Sequence, residues 1–456
     1  MGFQMNMQKR LMMLAAAVAG ASLVGSTVAP AATLGDYRFQ GNDPNGDNDV
    51  PASTTLTFTA LQRTAVTQVA TNNVFNSNAW TTAGAIDTAE HVSFTVTPVT
   101  GYTLLAQSLN FDHSRSTGAN GGPTAGEVRY SVNAFGSGQT FTPSATTSFN
   151  FADFSTTGAT TFRFHAWGAS NANGTLSFDN VQLIGDVQPR ASLNSSITTA
   201  APSRVIVGAS NVRHTLTVTN NALTGGTVAA QGLDYAVGAT GTGLSVSLTG
   251  GTGLAGAASA TTFVNIDTAT AGTKGGSANT SSTNAYRANG VVGATSASHT
   301  LGNVDVLDHA NASFAGDADS NSLTIDFGTV DQGSSQSRGF SLHNLLATVG
   351  YTAALDLDSV GETDSANVFS TDLATFLNLA AGGSNAYSVT LDTTATGSFA
   401  GTYTLSLSDE NLAGATGGQT LTLNVVGEVA AVPEPSSLAF AAFAALLLRR
   451  RRRPMQ

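Results

Sequence analysis

A short acidic segment near the start of the chain places oxygen-bearing side chains at alternate positions. Such side chains in a tight, glycine-containing loop can converge on one Ca²⁺ ion, which prefers six to eight oxygen ligands. The EF-hand pattern is incomplete, because Thr54 stands where that loop needs a bidentate glutamate. The segment predicts a structural calcium site, with a solvated turn as the alternative. The four candidate ligands are Asp43, Asn45, Asp47 and Asp49.

Trp167 is a second residue that could bind a ligand, by stacking its indole ring on a sugar. It follows the alternating segment 162–166, in which Phe162 and Phe164 share one face of a strand. Trp167 therefore falls on the opposite face, which predicts a less buried ring. Packing of the ring in the core is nevertheless the favoured interpretation, since tryptophan is generally highly buried.

Motifs for catalysis are poorly represented. The seven histidines are scattered, without a His-Glu-x-x-His zinc motif or a Gly-x-Ser-x-Gly elbow in a strand-to-helix context. Asp112, His113 and Ser114 are consecutive, so in a strand their side chains alternate between faces and cannot form a relay. No feature selects a pair of carboxylates for glycoside hydrolysis, and the adjacent Asp409 and Glu410 fit a turn. The chain is therefore predicted to be non-enzymatic.

The composition excludes further classes of function. The 456 residues contain no cysteine, so disulfides, thiolate nucleophiles and cysteine-ligated metals are excluded. Seven of the 18 basic residues lie in the two terminal segments, which leaves 11 basic residues against 29 acidic ones in the remainder. Such a body repels nucleic acid and attracts cations.

The N-terminus has the three parts of an export signal. Lys9 and Arg10 precede an apolar stretch over residues 11–24, and a small-residue segment follows it. We predict a signal peptide over residues 1–31, with cleavage after Ala31 or Ala32. The stretch is too short to span a membrane comfortably.

A second targeting segment lies at the other end of the sequence. A proline-containing motif precedes about 13 apolar residues, fewer than the roughly 20 needed to cross a membrane, and a basic run follows. This predicts a transient contact with the inner membrane, with the arginines on the cytoplasmic side. The motif is Val432, Pro433, Glu434, Pro435 and Ser436, and the basic run is Arg449, Arg450, Arg451, Arg452 and Arg453.

These three parts in this order resemble the PEP-CTERM sorting signal of Gram-negative bacteria. The resemblance covers only about 25 residues. It implies cleavage near the motif by an exosortase, a membrane transpeptidase-like enzyme, and association with exopolysaccharide and biofilm. The sequence then predicts localisation at the cell surface, in the outer envelope or in the extracellular matrix.

The body between the two signals is predicted to be all-β. Alternating apolar and polar residues mark strands, as at residues 92–97, 215–219 and 420–425, and glycine, asparagine and aspartate clusters separate them. One short helix is predicted at Asp372–Leu379. The tracts 238–260 and 269–284, rich in glycine, alanine and threonine, are predicted to be irregular insertions. The predicted units are 1–31, 32–187, a linker at 188–202, 203–310, 311–430 and 431–456.

Each body unit resembles a known type of β module. Unit 32–187 resembles the jelly-roll modules found ahead of PEP-CTERM tails and, more remotely, carbohydrate-binding jelly rolls. The resemblance lies in its general pattern and in the segment Gly-Thr-Leu-Ser-Phe-Asp-Asn-Val. In carbohydrate-binding jelly rolls a calcium ion often sits between an early loop and the last strand, which implies Asp179 as a further ligand. Units 203–310 and 311–430 share a short apolar strand, a glycine turn and a strand ending in asparagine. They resemble the immunoglobulin-like sandwiches of choice-of-anchor proteins.

The sequence thus predicts a non-enzymatic, exported protein of the surface or matrix. Its expected partners are an exosortase-like enzyme and exopolysaccharide. Two alternatives remain: a carbohydrate-binding adhesin that uses its jelly roll, and a secreted hydrolase.

Overall fold

The computed structural model describes residues 31–40, 47, 49, 53–136, 138–284, 292–364, 366–432 and 443–445. Strands make up 58% of it and helix 2%, which confirms the predicted all-β class. No helix within these ranges is long and apolar enough to cross a membrane. Most of both predicted targeting segments, 1–31 and 431–456, lies outside the described residues.

The first sandwich contains two short 3₁₀ turns, at Gly118–Asn120 and Ser131–Asn133. Its described strands are β1 (Ala32–Tyr37), β2 (Leu56–Phe58), β3 (Gln62–Thr64), β4 (Thr67–Gln68), β5 (Phe75–Asn78), β6 (His91–Pro98), β7 (Tyr102–Arg115), β8 (Ala125–Tyr130), β9 (Gln139–Phe141), β10 (Thr146–Thr156), β11 (Thr160–Trp167) and β12 (Leu176–Pro189).

These strands form two six-stranded sheets. Sheet I has the order β10-β7-β12-β5-β4, with β1 also paired to β12. Sheet II has the order β2-β6-β11-β8-β9, with β3 also paired to β6. If the accessory strands β1 and β4 of sheet I and β2 and β3 of sheet II are left out, each sheet has four strands. Their orders are β5-β12-β7-β10 in sheet I and β6-β11-β8-β9 in sheet II. These are the strand orders of a jelly roll.

Alternation along the strands sends phenylalanine rings into the space between the two sheets. Phe94 on β6 stacks on Phe162 of β11 with ring centroids 5.1 Å apart. Phe164 of β11 lies 5.0 Å from Phe111 of β7 and 5.0 Å from Phe178 of β12. All five rings are buried. The core therefore joins the two sheets through aromatic contacts, while the odd-numbered residues of β11 face outward.

The second and third sandwiches follow in the chain. The second contains β13 (Leu193–Thr199), β14 (Arg204–Ile206), β15 (Arg213–Asn220), β16 (Leu233–Thr242), β17 (Leu244–Val246), β18 (Gly250–Leu254), β19 (Ser259–Ile266), β20 (Gly272–Ser282), β21 (Ser296–Thr300) and β22 (Val304–Leu307). The third contains β23 (Ala312–Ser313), β24 (Ser322–Asp331), β25 (Gln336–Asn344), β26 (Leu355–Asp364), β27 (Phe369–Thr371), β28 (Phe376–Leu379), β29 (Ser384–Leu391), β30 (Gly397–Asp409) and β31 (Gly417–Ala430).

These two sandwiches repeat the same topology strand by strand. The sheets β13-β15-β19-β17 and β14-β22-β20-β16-β18 of the second have the counterparts β23-β25-β29-β27 and β24-β31-β30-β26-β28 in the third. In each, the second strand pairs in parallel with the last, as β14 with β22 and β24 with β31. The extra strand β21 pairs with β20. The weak sequence repeat thus corresponds to a repeated fold.

The asparagine that ends the second alternating strand occupies an equivalent buried position in both. Asn344 Nδ2 donates to the carbonyl oxygens of Ala353 and Leu379, each at 3.0 Å, and Asn344 Oδ1 accepts from Asn311 N at 3.1 Å. Asn220 makes the corresponding three bonds in the second sandwich, to Gln231 O, Leu254 O and Ser192 N. Each side chain therefore ties three chain segments together at one end of its sandwich.

Polar contacts also join successive sandwiches. Thr227 of the second donates through Oγ1 to Asp186 of the first at 2.9 Å. Arg204 of the second makes two hydrogen bonds, of 2.8 and 3.0 Å, to the carboxylate of Glu410 in the third. The carboxylate of Glu410 also accepts from Ala354 N, so it serves the junction between the two sandwiches.

Three local predictions from the sequence are wrong. Asp372–Leu379 is not a helix, because Phe376–Leu379 forms β28 and its backbone pairs with β26. The predicted linker 188–202 contains β13, whose residues pair with β15. The tracts 238–260 and 269–284 form much of β16 to β20. Backbone ladders need no side chains, and the paired Gly241 and Gly276 let the two strands approach closely.

Candidate functional site

The outer face of sheet II carries a group of charged and aromatic side chains. Strand register aligns them in rows: Ser93, Arg163 and Arg129 lie side by side, and Glu127 lies beside His165. The aromatic residue Trp167 follows on β11. We call this surface the outer face of sheet II, and it is formed by His91, Ser93, Glu127, Arg129, Arg163, His165 and Trp167.

Trp167 ends β11 and is half-buried. Its backbone pairs with Thr81 on one side and Ala125 on the other, and its carbonyl oxygen accepts from Thr124 N at 3.0 Å. The other tryptophan, Trp80, is 1% exposed and donates Nε1 to Ser77 O at 2.9 Å. The structure thus places Trp80 in the core, whereas Trp167 is half-buried at the end of β11 on the outer face of sheet II.

Arg163 lies opposite another arginine. Like charges that are paired directly destabilise a sheet. The charge of Arg129 is compensated by Glu127, whose Oε1 accepts a hydrogen bond from Arg129 Nε at 2.9 Å. Glu127 Oε1 also accepts from Gly138 N at 2.7 Å. In the described part of the chain no ion pair includes Arg163, and its buried Nε has no hydrogen-bond acceptor.

A strained loop holds an aromatic ring over Arg163. The guanidinium carbon lies 3.8 Å from the centroid of the Phe135 ring. Ala134 and Phe135 both have left-handed backbones, with φ of 57° and 56°, which costs on the order of 1–3 kcal/mol per residue. Arg129 Nη1 donates to Phe135 O at 3.3 Å and holds the loop in place. The ring fixes the guanidinium plane against the sheet.

Two buried histidines lie beside these arginines. The rings of His91 and His165 are 5.3 Å apart, and each side chain is at least nine-tenths buried. Burial, with the nearby Arg163 charge and His165, lowers the pKa of His91 to about 4. Burial likewise lowers the pKa of His165, whose Nδ1 contacts Glu90 O at 3.0 Å. Both rings are therefore neutral near pH 7.

This pair predicts a loss of stability in mild acid. His91 has a lower pKa in the folded chain, about 4, than in the unfolded chain, 6.5. Its contribution is therefore complete above pH 6.5 and falls as the pH drops towards 4, by about 3 kcal/mol. Thermal unfolding at pH 7.0, 5.5 and 4.5 should show this slope, and His91→Gln should reduce it. Part of the slope should remain, because burial also lowers the pKa of His113, His165 and His214. An equal slope in the variant would contradict the assignment.

The predicted calcium ligands lie partly outside the described residues. Asp43 and Asn45 are among the undescribed ones, whereas Asp47 and Asp49 are exposed. Asp49 Oδ2 accepts from Arg38 N at 2.7 Å. One residue further, Phe39 N donates to Asp179 Oδ1 at 3.2 Å. Asp49 and Asp179 therefore accept from the neighbouring backbone N–H groups of Arg38 and Phe39.

No metal-binding group emerges from the described residues. Within those ranges, no cluster of three or more histidine, aspartate or glutamate side chains has a geometry that could hold a metal ion. A calcium site built from the full loop stays a prediction.

Asp112, His113 and Ser114, whose residue types match those of a catalytic triad, do not form a relay. Asp112 faces outward and accepts from Thr146 Oγ1 and Asn180 Nδ2. His113 is buried and lies 2.8 Å from Thr147 Oγ1. Ser114 Oγ lies 2.7 Å from Ser177 Oγ. The predicted separation of these side chains by strand alternation is therefore confirmed.

The predicted sorting motif begins directly after the third sandwich. Strand β31 ends at Ala430, whose carbonyl oxygen accepts from Gln332 N at 2.9 Å. Val432, the first motif residue, is 50% exposed. Pro433, Glu434, Pro435, Ser436 and the five arginines lie outside the described residues.

Comparison with known proteins shows structural likeness only. No family model matches this chain, and no curated protein matches it. The chain is similar to the Escherichia coli adhesin FdeC at 17% identity, covering 76% of this chain and 94% of that one, with a TM-score of 0.27. It is similar to the CupB6 tip adhesin of Pseudomonas aeruginosa at 9% identity, covering 87% and 100%, with a TM-score of 0.20. An ASH/PapD-like domain of human CEP192 matches 24% of this chain and 82% of its own length at 15% identity, with a TM-score of 0.19.

Proposed function

We propose that this chain is an exported, non-enzymatic protein of the cell surface or extracellular matrix of a Gram-negative bacterium. It is sorted through its C-terminal segment, cleaved by an exosortase-like enzyme, and associates with exopolysaccharide. The observation that carries the proposal is the motif from Val432 to Ser436, followed by a short apolar run and five arginines, directly behind a folded sandwich.

The end of the last strand supports cleavage at this place. A peptide bond must be exposed and free of sheet pairing to enter the active site of a processing enzyme. The ladder of β31 with β24 ends at Ala430, and Val432 is half-exposed. Pro433 and Pro435 lack the N–H group that would continue the ladder. The pairing of β31 therefore ends two residues before Val432, the first residue of the motif.

The body supplies modules for display and binding. Three sandwiches are joined by direct polar contacts, such as Arg204 with Glu410. The outer face of sheet II, with Trp167 at its rim, favours carbohydrate binding as the function of the first sandwich. An adhesin that binds glycan through this face is the more specific form of the same proposal.

Replacement of the motif tests the sorting. The triple variant Pro433→Ala, Glu434→Ala, Pro435→Ala, expressed in a host that contains an exosortase, should keep its basic tail and remain in the inner-membrane fraction. The wild-type chain and the control Pro454→Ala should leave that fraction. We expect at least a tenfold difference in the membrane-retained share. Equal release of the triple variant would contradict the proposed sorting.

A further inference from the structure

Arg163 is a charged side chain on the outer face of sheet II for which the described residues provide no counter-ion. It lies directly opposite Arg129, and the nearby carboxylate of Glu127 is occupied by Arg129 and by Gly138 N. In the described residues the buried Nε of Arg163 has no acceptor. That buried Nε is out of reach of a ligand, so an anion binds at the other end of the guanidinium, through the two Nη groups, for which the described residues provide no acceptor either. Two such parallel N–H groups match a planar carboxylate.

We propose that the outer face of sheet II binds a glycan that carries isolated carboxylates, with Arg163 as the carboxylate anchor and Trp167 as the stacking surface for a sugar ring. The inference rests on the proposed surface function and names the class of ligand for it. Arg163 is fixed before binding, because the Phe135 ring lies 3.8 Å from its guanidinium carbon. Binding therefore immobilises little that is not already ordered.

The spacing of the two contacts favours an oligosaccharide over a free anion. Arg163 and Trp167 are four residues apart on the same face of β11, which corresponds to about 13 Å along a strand. His165 lies between them and is 1% exposed, and its Nδ1 lies 3.0 Å from the carbonyl oxygen of Glu90. A ligand that contacts both residues therefore passes over the segment around Glu90. A small anion can reach only one of the two residues.

The distribution of charge favours a sparsely charged glycan. The chain outside its terminal segments is strongly acidic. Asp112 and Asp179 lie on sheet I, and Asp36 lies on β1 beside β12. A densely charged polyanion is repelled by this body as a whole. An isolated carboxylate interacts mainly with the nearby Arg163, because Arg129 is already paired with Glu127 and charges beyond about 8 Å are screened at physiological ionic strength.

Binding of two matched oligosaccharides to the full chain tests the inference. The probes are a tetrasaccharide with one glucuronate and its counterpart with glucose in that position, measured by calorimetry. We expect the glucuronate form to bind at least tenfold more tightly. Arg163→Gln should remove this preference, Arg163→Lys should retain part of it, and Trp167→Ala should weaken both probes. Arg213→Gln is the matched control, because Arg213 also stacks on a phenylalanine, Phe263 at 3.7 Å, in the second sandwich.

Several results would overturn the inference. They are equal affinity for both probes, an unchanged preference in an Arg163→Gln chain whose melting temperature equals that of wild type, and competition by free acetate as strong as by the oligosaccharide. If neither probe binds while the tail is still cleaved in cells, the ligand is wrong and the proposed sorting stands. If a probe binds while the tail is never cleaved, the reverse holds.

Discussion

Replacing Asn344 by alanine is expected to lower the free energy of unfolding of the third sandwich by about 3–5 kcal/mol. The substitution removes three hydrogen bonds from a fully buried side chain, one to the buried backbone of Ala353 and two to the part-buried backbone groups of Leu379 and Asn311. Each buried group left without a partner costs about 1–3 kcal/mol. Calorimetry should show the unfolding transition of this sandwich shifted down by more than about 10 °C.

A second asparagine of the same sandwich provides the control. Asn424 on β31 is half-buried, and its Oδ1 accepts one hydroxyl, Thr402 Oγ1 at 3.2 Å. Asn424→Ala should cost less than about 1 kcal/mol. Asn220→Ala should repeat the large effect in the second sandwich, because it makes the equivalent three bonds. A loss at Asn344 no larger than that at Asn424 would refute the role of this side chain.

Replacing Gly276 by alanine is expected to disrupt the pairing of β16 with β20, at a cost of about 3 kcal/mol or more. Gly276 has a φ of +152° and pairs with Gly241. An added methyl group would overlap the carbonyl oxygen of Thr240, which is backbone and cannot rotate away. Urea unfolding of the second sandwich should therefore begin at a lower concentration, and hydrogen exchange along β16 and β20 should accelerate.

Gly238 is the matched control in the same pair of strands. It faces Asn279 in register, and an added methyl group there would meet no atom within 4 Å. Gly238→Ala should be neutral or stabilise the chain by about 0.5 kcal/mol, since alanine restricts the unfolded backbone more than glycine does. Equal losses in Gly238→Ala and Gly276→Ala would show that the tract does not depend on this close approach.

The sequence predicted the regular parts of the fold. Alternation at residues 92–97, 215–219 and 420–425 marks β6, β15 and β31, because burial of one face of a strand imposes a period of two. The repeated strand ending in asparagine was also visible in the sequence. The bonds of Asn220 and Asn344 were not, because their partners come from segments brought together only by folding.

Other features depend on register and on the backbone. The helix predicted at Asp372–Leu379 failed because pairing with β26 overrides local propensity. The glycine-rich tracts carry no side-chain periodicity, so their strands could not be recognised. The sequence placed Trp167 on an outer face, but it missed Arg163. A lone arginine in a strand becomes unusual only when register sets Arg129 beside it.

The C-terminal residue of the protein recovered from the outside of the cell tests the central claim most directly. Mass spectrometry of the intact chain and of its terminal peptides measures it. We predict a chain that begins at Ala32 or Thr33, ends near the motif from Val432 to Ser436, and lacks the segment 449–453. Surface protein that still carries those arginines and Gln456 would contradict the proposal that this segment is a signal to be cleaved.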